Sequence, residues 1–221
     1  MNIASEIVLC LLLLIAGFFA TYNYIHKTKW NKFEKDSIKI TRNKVVYLVS
    51  GLAISALLIC LFQIVYKQTF LTQIKLLILV LTILPCAAVD FKVHKIPNQI
   101  IIAALIIRGV IYIPEFINST SSALSVLKDN LIGAAVIGGF FLVLLLIFKN
   151  SIGMGDVKLF AVMGLYQGLW GAINSVFFSL VVSFFISIFL LITKKKGRKD
   201  VISFGPSILL GTVIAIAISG M

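Results

Sequence analysis

Two aspartates stand at the edges of apolar runs: Asp90 in CAAVDFKVHKIPN and Asp156 in SIGMGDVKL. Two carboxylates that share a water can run hydrolysis. Like charges held close do not both ionise readily, so one keeps its proton. The ionised acid takes a proton from water, the protonated one polarises a carbonyl, and the pair titrates as a unit. Gly153 and Gly155 remove side chains just before Asp156, which lets another backbone approach closely, as an extended peptide substrate would need. Asp156 is expected to open a helix and Asp90 to close one. The helix dipole then favours Asp156 as the ionised base and Asp90 as the proton carrier. On position alone, two solvated loop acids would be the plainer reading.

The elements around these acids are membrane helices. The 221 residues are 60% hydrophobic and 13% charged, with a mean hydropathy of +1.09, whereas soluble domains carry roughly 25% charged residues. The apolar runs are unbroken rather than alternating, so helices are expected and a barrel is not. The fold class is an all-α polytopic membrane bundle, one integral domain over 1–221. The apolar runs are 7–25, 45–66, 70–89, 96–113, 131–148, 157–167, 169–193 and 201–219. Residues 1–66 form a helix pair around a basic loop, and 70–221 form the core that carries the acids.

Loop charge sets the topology. Segments 26–44, 90–98, 149–158 and 194–200 hold seven, two, two and five Lys/Arg, which is 16 of the 20 basic residues. Alternate loops are therefore basic and are expected to face the cytoplasm. About eight crossings with both termini outside satisfy this pattern, and both aspartates then lie on the cytoplasmic side. The N-terminal run has no basic residue before it, so it is expected to be a retained helix rather than a signal peptide. Segment 157–167 has 11 residues, about 16 Å of helix, which is too short to cross alone. A turn is expected near YQGLWG (166–171). Spacings such as Gly164…Gly168 suit close helix packing, and Pro114–Asn130 reads as an outer loop. Asn118-Ser119-Thr120 is a formal glycosylation sequon, too short to carry weight.

The formal net charge of +12 fits this positive-inside bias and does not call for nucleic acid. Cys10, Cys60 and Cys86 lie in apolar runs without a CxxC pair, so they read as small core residues. No metal is implied: His94 follows Asp90 by four residues, but Pro97 argues against a helix that would present both. No cofactor is expected. Lys92, Lys95 and Lys158 flank the acids, with topology and lipid contact as their default role.

Three motifs occur in order, each at a helix boundary: Asp90 with Ile96-Pro97-Asn98, GMGDVKL around Asp156, and ISFGPSILLG at 202–211. Pro97 is placed where a new helix can begin. Together the motifs resemble the prepilin peptidase family, the type IV leader peptidases, which are GxGD-type membrane aspartic proteases. The resemblance covers roughly residues 76–220. It implies that Asp90 and Asp156 form a catalytic pair that cleaves short basic leaders from type IV pilin-like or pseudopilin precursors at the cytoplasmic face of the cell membrane. It offers Gly153, Gly155, Lys158, Pro97, Asn98, Phe204, Gly205 and Pro206 as candidate substrate contacts. Bifunctional members of that family carry an N-terminal cytoplasmic insertion with paired CxxC motifs and also N-methylate the new terminus. Here the first loop is about 19 residues and has no cysteine, so the short, peptidase-only form is expected. The expected partners are such precursors and membrane lipid.

Two other readings compete. A proton-coupled transporter also uses paired acids and broken helices, but there the acids lie near the midplane and inverted repeats are common. An inactive scaffold of a pilus or secretion assembly could keep the fold without retaining both acids and both glycines.

Overall fold

The computed structural model describes residues 69–118, 120–148, 153–193 and 203–220, all of them in helices or short connections. The apolar runs at 7–25 and 45–66, the basic loop between them, and the eight-crossing count with its terminus orientation lie outside the described residues. The elements are α1 (Phe70–Val93), α2 (Asn98–Asn118), α3 (Thr120–Ile147), α4 (Met154–Ile192) and α5 (Gly205–Ser219). Four of the five are long and apolar enough to cross a membrane; α5 is shorter. Helices suit such a sequence because every backbone polar group is satisfied within the segment.

The most extensive packing joins α3 to α4 and α4 to α5, and α1 packs on α5. The core gathers Leu79, Ile83 and Cys86 of α1, Phe141 of α3, Phe160, Met163 and Val176 of α4, and Ile208 of α5. Phe141 stacks on Phe160 at 4.2 Å between ring centroids. Phe204, just before α5, meets Phe160 edge-on at 5.8 Å. The Gly164 contact is a close backbone approach, since a Cβ there would strike Gly133 and Ala134 of α3.

The expected outer loop over Pro114–Asn130 is corrected. Helix α2 runs through Pro114 to Asn118, and α3 begins at Thr120. The polar residues that suggested a loop instead serve an interior cluster. Arg108 is 1% exposed and forms a bidentate pair with Glu115, Nη1–Oε1 and Nη2–Oε2 both 3.2 Å. Seven residues apart, the two share a face only if the helix continues past Pro114. The guanidinium lies 3.8 Å over the Tyr112 ring, and Asn130 Nδ2 donates to Tyr112 Oη at 3.0 Å. Tyr166 Oη donates to the Ala104 carbonyl at 2.8 Å. Lys75 of α1 lies within electrostatic reach of Arg108, Glu115 and Asp129.

The expected turn inside 166–171 falls at Gly168. Its φ of 72° and ψ of −172° break α4 into two arms. That positive φ is open to glycine and strained for other residues. Ser175 Oγ donates to Gln167 Oε1 at 2.9 Å, whereas eight residues of unbroken helix would separate them by about 12 Å. The break leaves the Leu165 carbonyl and the Leu169 N–H without each other. Arg108 Nε donates to the former at 2.9 Å, and Asp129 Oδ1 accepts from the latter at 3.4 Å. A cation thus caps the C-terminal end of the first arm and an anion the N-terminal end of the second, the arrangement the helix dipole favours.

Candidate active site

The two aspartates reach one end of the bundle from helices far apart in sequence. Asp90 sits in the last turn of α1. His94 ends that helix in the left-handed region at φ 52°, with its N–H donated to the Asp90 carbonyl at 2.9 Å. His94 therefore leaves the helical face that carries Asp90. The chain turns through Ile96 and the buried Pro97 and enters α2 at Asn98, as expected of a proline at a helix start. The Ile100 N–H reaches back to the Pro97 carbonyl at 3.2 Å.

Helix α4 begins after α2 and α3 have been traversed. Gly153 is its N-cap, extended at φ −77° and ψ 138°, and its carbonyl accepts from Asp156 N at 3.0 Å and Val157 N at 3.3 Å. Asp156 is therefore the third helical residue, and its carboxyl accepts a backbone hydrogen bond from Gly153. This is the acidic half of a capping box, with an aspartate at the third position and no cap side chain on Gly153. Asp156 Oδ1 is buried with no partner among the described residues. The charge of Asp90 bears on Asp156, so the two carboxyls are within electrostatic reach.

The three motifs surround this pair. A Cβ on Gly155 would stand 2.8 Å from Ile96 Cβ, so the missing side chain admits the turn after Asp90. Lys158 Nζ donates to Asn98 Oδ1 at 2.9 Å, tying α4 to the start of α2. Gly205 N donates to Asp90 Oδ2 at 2.7 Å in a buried contact, which brings the start of α5 onto the first acid. Phe204 packs on Phe160, one turn beyond Asp156. Pro206 occupies the second position of α5, half-buried. Gly153 and Lys158 are exposed at the rim and Gly155 is half-buried. Lys95 is exposed nearby and is not among the described contacts of either acid.

All ten candidate residues thus lie at the same end of the bundle. Sequence reasoning missed the partners that join them: Ile96 against Gly155, and Cys86 of α1 within electrostatic reach of Asp90. It also passed over the Arg108 cluster. The available signal there was a lone arginine in an apolar run with a glutamate two turns on, since ionisable groups at membrane depth are seldom idle.

Chemically, the arrangement offers two carboxyls, one with a served oxygen and one with an orphaned oxygen, beneath an exposed rim of Gly153, Met154 and Asn98. That suffices for acid–base work on a bound water. Among the described residues, no group of three or more His, Cys, Asp or Glu could hold a metal ion.

Residues 76–192, which include both aspartates, match the model of the type IV leader peptidase family. Over 129 residues the chain is 27% identical to the protein named prepilin leader peptidase/N-methyltransferase of Bacillus subtilis (strain 168), covering 58% of this chain and 49% of that protein. The chain therefore spans about half the length of the curated relative it matches. No solved structure matches.

Proposed function

The chain belongs to the type IV leader peptidase family, and on that premise we propose that it is a membrane aspartic endopeptidase that removes short basic leaders from type IV pilin-like precursors. Asp90 and Asp156 are the proposed catalytic pair. The observation that carries this reading is their convergence: two acids 66 positions apart in sequence lie within electrostatic reach, at the end of the bundle where all three motifs meet.

The mechanism follows from the two carboxyls. The ionised one takes a proton from a water held between them, and the water oxygen adds to the scissile carbonyl. The protonated one hydrogen-bonds that carbonyl as negative charge develops on its oxygen. Proton return to the amide nitrogen then breaks the C–N bond and releases leader and mature chain, with the pair back at one proton. Gly153, Gly155, Pro97, Asn98, Phe204 and Pro206 are proposed to line the path of the extended substrate, and Lys158 to hold its wall through Asn98.

Loop charge supports placing this end at the cytoplasmic face of the cell membrane. The cysteine-free first loop supports a peptidase without N-methyltransferase activity. The position of the acids within about two turns of helix ends favours this reading over a transporter, whose coupling sites lie near the midplane.

Co-expression of the full chain with a pilin-like precursor, with leader removal followed by gel shift, tests the proposal. Processing is expected with the unmodified chain and not with Asp90→Ala or Asp156→Ala. Processing that survived both substitutions would overturn the aspartyl mechanism.

A further inference from the structure

We infer that Gly205 is a positioning residue for the aspartate pair: its N–H, at the first residue of α5, holds Asp90 as the ionised member and leaves the proton on Asp156. This rests on the reading of the two aspartates as a hydrolytic pair and reverses the roles that helix ends alone suggest.

In sequence, Asp90 belongs to the end of α1, where carbonyl groups disfavour a charge. In the fold, its side chain leaves α1 and seats on the N-terminus of α5. The Gly205 N to Asp90 Oδ2 distance of 2.7 Å is that of a charge-assisted N–H to carboxylate bond. Helix α5 has no cap of its own, because Phe204 makes no side-chain cap hydrogen bond and Pro206 has no N–H. Asp90 supplies the missing acceptor from another helix.

Glycine is what allows this seat. A Cβ at position 205 would stand 2.9 Å from Asp90 Cβ and 3.0 Å from Ala87 Cα. The second of these is backbone of α1 and cannot swing aside. Any side chain would push α5 off the carboxyl that caps it.

Asp156 is served differently. Gly153 bonds its carboxyl, but Oδ1 is buried without a donor among the described residues. As a bare carboxylate oxygen, that atom carries an uncompensated share of charge away from water. As a hydroxyl, it becomes a donor for the scissile carbonyl. Among the described residues, the titratable groups facing Asp90 are Asp156 from α4 and Cys86 from its own helix. Lys158, the described cation nearest in sequence to Asp156, is turned to Asn98.

Infrared spectroscopy of the purified full chain in lipid tests the assignment without needing turnover. A protonated-carboxyl band is expected in the unmodified chain and in Asp90→Asn, and is expected to vanish in Asp156→Asn. A band kept in Asp156→Asn and lost in Asp90→Asn would overturn the inference. Gly205→Ala is expected to lower kcat by about 10- to 100-fold with KM within about twofold, the size of one lost hydrogen bond to a charged group. Ser207→Ala, which leaves the Gly205 N–H in place and removes a hydroxyl that has no partner among the described residues, is expected to keep kcat within about threefold. An unchanged kcat in Gly205→Ala would equally overturn the inference. Should Gly205→Ala not accumulate, the infrared comparison decides alone. Absence of cleavage by the unmodified chain would instead remove the peptidase reading, with the bands still reporting where the proton sits.

Discussion

The bundle carries charge at two opposite ends, and the two ends are finished differently. Around Arg108 each guanidinium nitrogen has an acceptor in place: Glu115 takes both terminal nitrogens, Leu165 takes Nε, and the Tyr112 ring covers the guanidinium face. About 22 Å further along α1, at 1.5 Å per residue from Lys75 to Asp90, the aspartate end is left incomplete. Asp90 has one oxygen on Gly205, while Asp156 keeps a buried oxygen with no partner among the described residues. The closed cluster holds a broken helix together. The open one keeps unmet hydrogen-bonding capacity that a substrate and a water can fill, and such stored deficits gather at functional sites.

The comparison breaks most plainly at the aspartates. Asp90→Ala and Asp156→Ala are each expected to lower leader cleavage by at least about 1,000-fold, as when one member of a catalytic unit is removed, while thermal stability in detergent holds or rises. Parallel losses of cleavage and stability would show that the aspartates hold the fold as Arg108 does.

Arg108→Ala is expected to cost about 3–5 kcal/mol of stability, because Glu115, 12% exposed, is left as an uncompensated partner beside a free Leu165 carbonyl. The paired change Arg108→Met with Glu115→Leu should recover most of that loss, since an apolar pair of similar volume replaces a buried ion pair at little cost. Cleavage should follow stability in both variants. Loss of cleavage with stability restored would tie the far cluster to the chemistry.

A smaller effect is expected at the break itself. Gly168→Ala places a Cβ at φ 72° against Asp129, costing about 1–2 kcal/mol from the left-handed backbone alone. Asp129→Ala removes the acceptor facing Leu169 N, at about 1 kcal/mol, typical of a lost N-cap. Melting temperatures of the two variants and their double mutant check whether they act through one contact, in which case the costs do not add. Smallest of all, Lys158→Met frees Asn98 at the exposed rim. A change in KM of about two- to fivefold with kcat unaltered is expected, in keeping with the modest worth of an exposed polar contact.

How far the site could be read beforehand differs between residues for physical reasons. Asp156, its glycines and the helix start at Met154 were legible because they are local: an acid in the first turn and a glycine before it follow from helix-end chemistry. Pro97 before α2 was legible for the same reason. The Gly168 turn was anticipated from chain length, since 11 apolar residues cannot cross a membrane. The Pro114–Asn130 segment was misread because polar residues suggest loops. Their partners Arg108, Tyr112 and Leu169 lie on other turns or other helices, and only those partners make a buried polar helix tolerable. The roles we infer for the two acids differ from those that helix ends suggest for the same cause: local reading weighs Asp90 against its own helix and not against α5.

Composition and loop charge alone determined that this is a helical membrane chain, and three ordered motifs determined which family it resembles. These are properties of hydrophobic burial and of short-range backbone chemistry, which act along the chain. Only the tertiary structure decided that Asp90 caps the start of α5, that Gly155 admits Ile96, and that Arg108 and Asp129 cap the two ends of a broken α4. Each of those is a contact between segments tens of residues apart. Its partner is selected by which helices pack together, and no local pattern specifies that.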